Sequence, residues 1–143
     1  MLVLRIESCR LLRRAPGRVA EEREDRVVEL QVPRAEAVFG GLLADGLFLE
    51  YDDERSGGFE PLRFVRDGTT VVLGLVTTKT PALEDKDALK RRVEEASKYV
   101  DIDRLCLSPQ CGFASTVEGN ALTIDEERAK LALVVETAEE IWG

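Results

Sequence analysis

Three short apolar runs, at residues 47–51, 71–76 and 105–107, alternate with longer segments of helical spacing, and this alternation constrains the fold more than any other feature of the chain. Leu47-Phe48-Leu49-Glu50-Tyr51 follows Gly46 and runs into a polar loop at 52–58. The run at 71–76 is rich in β-branched residues, and Leu105-Cys106-Leu107 is the third. Runs this continuous suit parallel strands covered on both faces. Residues 59–65 read as a short helix or turn. Between the second and third runs, Leu89, Val93, Ala96 and Val100 predict a helix over 86–100. Behind the third, Thr123-Ile124-Asp125-Glu126 has capping-box spacing, and Leu131, Val134, Val135, Ala138 and Ile141 continue the period. Ahead of the first, Pro33 suits an opening helical turn, with Ala35, Val38, Phe39, Leu42 and Leu43 on one face and Gly46 as the stop. Strand, crossover and strand in turn predict an α/β fold with parallel strands, and residues 2–6 are a candidate fourth strand. A complete eightfold barrel takes about 250 residues. A chain of 143 therefore makes either a small open sheet or a partial barrel.

Composition narrows the function. Hydrophobic residues at 44% and charged residues at 34% provide a core and a solvated surface, against disorder. A net charge of −8 disfavours nucleic acid and anionic lipid as partners. The longest uncharged apolar stretch, 69–78, falls short of the roughly 20 residues of a membrane span. Three cysteines cannot all pair within one chain, so a reducing, cytoplasmic setting is expected. Histidine is absent, which excludes chemistry by an imidazole of this chain. The charge divides the chain in two: residues 1–34 carry eight arginines against six acids, whereas 35–143 carry twelve bases against 22 acids. Residues 1–32 are accordingly set apart as an atypical Arg-rich N-terminal segment, and 33–143 as the folded body. Glu21, Glu22, Glu24 and Asp25 argue against a transit peptide.

Parallel strands send their C-terminal ends to one rim, where α/β folds bind ligands. Glu50, Lys79 and Cys111 all lie just past or at such ends. Glu50 closes an apolar run without a break, either as a strand end turning to solvent or as a carboxylate held by a rigid element. Cys111 stands in a loop beside Pro109 and Gly112, either as a small half-buried residue or as a thiolate that binds metal. Cys106, between two leucines, reads as core packing. Lys79 is either solvated or a holder of an anionic group, and the acids at 52–54 read as partners of Arg55.

The segments Leu49-Glu50-Tyr51-Asp52-Asp53-Glu54-Arg55-Ser56-Gly57, Leu73-Gly74-Leu75-Val76-Thr77-Thr78-Lys79 and Ser108-Pro109-Gln110-Cys111-Gly112-Phe113-Ala114-Ser115 resemble the cobalamin-independent methionine synthase family, from about Pro33 to Gly143. The resemblance implies the last strands of a (β/α)8 barrel. It implies methyl transfer from methyltetrahydrofolate or a similar donor to homocysteine or a related thiol. It further implies Zn²⁺ held by Glu50 and Cys111. The family's His-x-Cys-Arg-Gly-Asn element has its nearest counterpart in Glu7-Ser8-Cys9-Arg10, with Glu7 in place of the histidine, which makes Cys9 a third metal ligand and Glu7 a speculative fourth. The stretch that follows departs from the family, consistent with a shifted reading frame or fusion junction ahead of residue 33. Autonomous catalysis is not expected of such a fragment, and unpaired strand edges predict an oligomer or a partner chain. The competing expectation is a non-catalytic α/β module that acts through association with another chain. A tetrapyrrole decarboxylase-like barrel ranks last, since its arginine-rich substrate site is not visible.

Overall fold

The computed structural model describes residues 32–52, 56–110, 113 and 122–143. The elements run α1 (Val32–Gly41), β1 (Gly46–Glu50), a 3-10 turn at Glu60–Phe64, β2 (Thr70–Val76), α2 (Lys86–Ala96), a second 3-10 turn at Ile102–Arg104, β3 (Leu105–Pro109) and α3 (Ile124–Trp142). The three strands form one parallel sheet in the order β1-β2-β3, as the apolar runs predict. The candidate strand at 2–6 and the Arg-rich segment lie outside the described residues.

Local chemistry sets the boundaries. Gly68, at φ 85°, makes the turn into β2 in a conformation that side chains rarely adopt. Asp85 caps α2 by accepting from the backbone N–H of Ala88 at 2.8 Å. Thr123 and Glu126 form the predicted capping box at the start of α3. The start of the chain's body differs from expectation. The helix ends at Gly41 rather than at Gly46, which opens β1 instead. On its expected apolar face Phe39 is buried, while Val38 and Leu42 are exposed and Leu43 is 87% exposed. Two adjacent glycines, Gly40 and Gly41, end the helix before the period can complete.

Strand alternation gives the sheet two faces. Leu47, Leu49, Val71, Leu73, Leu105 and Leu107 point to one of them and join a cluster with Leu89, Val93 and Ala96 of α2 and Leu133 and Val134 of α3. Phe48, Glu50, Val72, Gly74, Cys106 and Ser108 lie on the other. Cys106 therefore does not pack in the leucine cluster; it is half-buried and disulfide-bonded. The N-terminal end of the sheet is tied by Arg104, which donates to the carbonyls of Thr69 at 3.0 Å and Arg66 at 2.6 Å. At the outer surface, Lys86 bonds Glu136 and Glu140, and Lys90 also pairs with Glu140, joining α2 to α3.

Candidate functional site

The parallel register decides which side chains share the C-terminal rim. Glu50, Gly74 and Ser108 sit side by side across β1, β2 and β3. Glu50 is the last residue of its strand and is exposed, with its carboxylate on the face turned away from the helices. Gly74, between its two neighbours, has no side chain. A Cβ there would lie 3.2 Å from the carbonyl oxygen of Leu49 and 3.5 Å from that of Pro109. Glycine at position 74 thus lets the flanking backbones pack closely on β2, between the Glu50 carboxylate and the Ser108 hydroxyl.

Two polar links hold the segments leaving the strands. Beyond β1, Asp52 accepts from Lys79 Nζ at 3.1 Å, and its side chain is only 5% exposed. Lys79 is thus an ion-pair partner of Asp52 across the rim, while Arg55, the partner expected for the acids at 52–54, lies outside the described residues. Beyond β2, Thr77 donates its backbone N–H to Glu84 Oε1 at 2.8 Å and its hydroxyl to Gln110 Oε1 at 3.2 Å. Glu84 in turn accepts from Lys130 Nζ at 3.1 and 3.2 Å, and Lys130 also donates to the carbonyl of Ala82. Lys130 is completely buried. Sequence reading missed it because Leu131 and Val135 invited a face one residue out of phase. The signal was present: positions 130, 133, 134 and 137 keep helical spacing, and all four are buried.

The helix side of the rim carries a separate feature, an open groove of about 350 Å³ lined by Tyr51, Asp52, Leu75, Glu84, Leu89 and Arg92. Tyr51 stacks at a tilt on Phe59, with ring centroids 4.5 Å apart, and Arg92 lies 4.2 Å over the Phe59 ring. Burial pushes the Tyr51 phenol above its ordinary value, and the Arg92 charge opposes that shift. Tyr51 follows Glu50 by one residue and faces the opposite way, so this groove does not include the Glu50 carboxylate.

Of the three residues expected to hold metal, Glu50 stands at the rim, while Cys9 and Cys111 lie outside the described residues, as does Glu7. Among the described residues no group of three or more His, Cys, Asp or Glu side chains could hold a metal ion. Gln110, which immediately precedes Cys111, is described: it is buried at the rim, in reach of Thr77.

Comparison with known proteins places the whole arrangement. Residues 39–140 match the catalytic domain of the cobalamin-independent synthases. The chain belongs to this family. Two Bacillus subtilis (strain 168) relatives of the cobalamin-independent synthase chain, the uncharacterized proteins YxjG and YxjH, are 64% and 56% identical to it over 109 residues. Each alignment covers 76% of this chain and 29% of the relative, so the chain spans under a third of their length. A solved Listeria monocytogenes protein, provisionally named a vitamin-B12-independent methionine synthase, superposes with a TM-score of 0.59 at 42% identity. That match covers 78% of this chain and 32% of the Listeria protein. The cobalamin-independent synthase domain thus accounts for the three parallel strands and the helices that flank them. No described helix is long and apolar enough to cross a membrane.

Proposed function

We propose that this chain supplies part of the metal-binding rim of a methionine-synthase-like methyltransferase, with its strands as the C-terminal portion of a (β/α)8 barrel. The observation that carries the reading is the rim register, in which Glu50 ends β1 level with Gly74 and Ser108, held there by the close approach of the Leu49 and Pro109 backbones at Gly74. A carboxylate oxygen is a suitable zinc donor. We assign Glu50, Cys111 and Cys9 as the Zn²⁺ ligands, with homocysteine or a related thiol as acceptor and methyltetrahydrofolate or a similar compound as donor. Bound zinc would lower the pKa of the acceptor thiol and present its sulfur as a thiolate near neutral pH. Glu50, on a strand end, fixes the direction of one donor oxygen. The overall change is the formation of a carbon–sulfur bond as the methyl carbon–nitrogen bond breaks, the nitrogen keeping the electron pair and taking a proton. The methyl group goes to the acceptor sulfur, and the proton comes from a group other than an imidazole of this chain, which has none.

The disulfide at Cys106 sets a condition on the assignment. A chain with three cysteines cannot hold an internal disulfide at Cys106 and also offer Cys9 and Cys111 as thiolates. Zinc loading is therefore expected only under reducing conditions, in keeping with a cytoplasmic setting. A second reading, a non-catalytic module acting through association, draws on Phe48, which is 54% exposed on the face turned away from the helices. Both readings place a partner chain or a second copy over that face. Metal analysis with native mass of the reduced protein separates them. About one zinc per assembled site, lost on Cys111→Ser, supports the methyltransferase reading. An assembly that holds no zinc supports the module.

A further inference from the structure

Lys130 is an ammonium group in the middle of the buried face of α3, with no exposure, and nothing in the family resemblance gives it a task. Burying a lysine is costly unless its charge and donors are matched. Here the match is made at one place only: both oxygens of Glu84 and the carbonyl of Ala82. These acceptors lie in the segment that runs from β2 to α2, so the lysine pins that segment to α3 from beneath. Glu84 then passes the constraint on. With its carboxylate held by Lys130, Oε1 accepts the backbone N–H of Thr77, the first residue past β2. The Thr77 hydroxyl reaches the side chain of Gln110, the first residue past β3. The backbone N–H of Gln110 returns to β2 by donating to the Val76 carbonyl at 2.9 Å.

We infer that Lys130 is a positioning residue for the rim: acting through Glu84 and Thr77, it fixes the exits of β2 and β3 relative to each other and so sets where Gln110 leaves the sheet. The inference deepens the zinc-rim reading, because its consequence for metal binding rests on that reading, while its structural part stands apart from it. The Nε2 of Gln110 is buried and has no partner among the described residues. Gln110 is thus held on its oxygen side by Thr77 and keeps a donor free at the rim. A lysine serving stability alone would need neither the hydroxyl of Thr77 nor any reach beyond Glu84.

The test combines amide hydrogen exchange with Zn²⁺ affinity, measured on the reduced full chain by competition with a chromophoric chelator. In Lys130→Met, exchange at Thr77 and Gln110 is expected to accelerate about tenfold or more beyond any acceleration at Leu73, in the centre of β2. Thr77→Val avoids the buried charge and keeps the fold: exchange at Gln110 accelerates, Leu73 and the position-77 amide stay as in the wild type, and zinc binding weakens several-fold at unchanged melting temperature. The inference is overturned if Lys130→Met speeds Thr77, Gln110 and Leu73 by a common factor. Should Lys130→Met not fold, Thr77→Val decides alone, and an unchanged Gln110 amide there overturns it equally. A wild-type chain that binds no zinc sinks the zinc-rim reading, and the exchange pattern still decides whether Lys130 positions the rim.

Discussion

The two faces of the β1-β2-β3 sheet are built to different rules. On one, leucines and valines of all three strands interlock with α2 and α3, and Leu73 at its centre is completely buried. On the other, Phe48 is 54% exposed and Glu50 ends its strand exposed, while Val72 and Gly74 of the middle strand are buried. A parallel sheet ordinarily buries both faces. On the zinc-rim reading, the alternation of neighbouring residues puts stability and chemistry on opposite sides of the same strands. It also explains why a single substitution should move one property and leave the other nearly still.

The comparison breaks most visibly at Leu73. Leu73→Ala should lower the unfolding free energy by about 2–5 kcal/mol, read by urea denaturation, because the cavity opens where packing is complete. A loss below about 1 kcal/mol would mean that the helix-facing side is not the core. On the opposite face, Gly74→Ala should cost only about 1–2 kcal/mol, from the close approach to the Leu49 carbonyl. On the zinc-rim reading the same variant should weaken Zn²⁺ binding about tenfold, because a shift of the Leu49 carbonyl moves the adjoining Glu50. If Gly74→Ala binds zinc as the wild type does, the close packing at Gly74 has no part in the site.

Away from both faces, Thr123→Ala should cost about 0.5–1 kcal/mol through loss of the α3 cap. It should also change an acid titration. Glu126 is held below the usual glutamate range, first by the backbone N–H of Thr123 and then by its hydroxyl. A depressed carboxyl stabilises the folded state above its unfolded pKa, and that contribution fades as pH falls through the lowered folded value. In Thr123→Ala, the carboxyl resonance of Glu126 should titrate closer to the ordinary range, and the acid-side decline in stability should flatten. The smallest effect belongs to Glu140, whose carboxyl is lowered by hydrogen bonds from Lys90 and Lys86 on the exposed surface. Glu140→Gln should shift the melting midpoint by no more than about a degree at physiological salt.

Sequence periodicity captured the scaffold because burial and period coincide there. Leu89, Val93 and Ala96 are the inward positions of α2, and the apolar runs are the strands. It failed at α1, where Leu42 and Leu43 extend the pattern past the end of the helix into the open. It failed again at Lys130, because a charged side chain in a buried position is invisible to any pattern of apolar residues. The partner that makes its burial tolerable, Glu84, is 46 residues away. At the site, Glu50 was legible as a polar residue ending an apolar run. Its neighbours across the rim were not, since register is a property of paired strands rather than of either sequence. The pairing of Asp52 with Lys79, 27 residues on, has the same origin. Cys106 misled for a related reason, as its leucine neighbours face one side and it faces the other.

X-ray absorption on the reduced, zinc-loaded chain probes most directly whether the carboxylate-bearing face is the metal side. The expected first shell contains sulfur at about 2.3 Å together with oxygen at about 2.0–2.2 Å. Glu50→Gln should alter the oxygen component while retaining the sulfur component. A sulfur-only shell in the wild type, or a spectrum indifferent to that substitution, would remove Glu50 from the site and contradict the account.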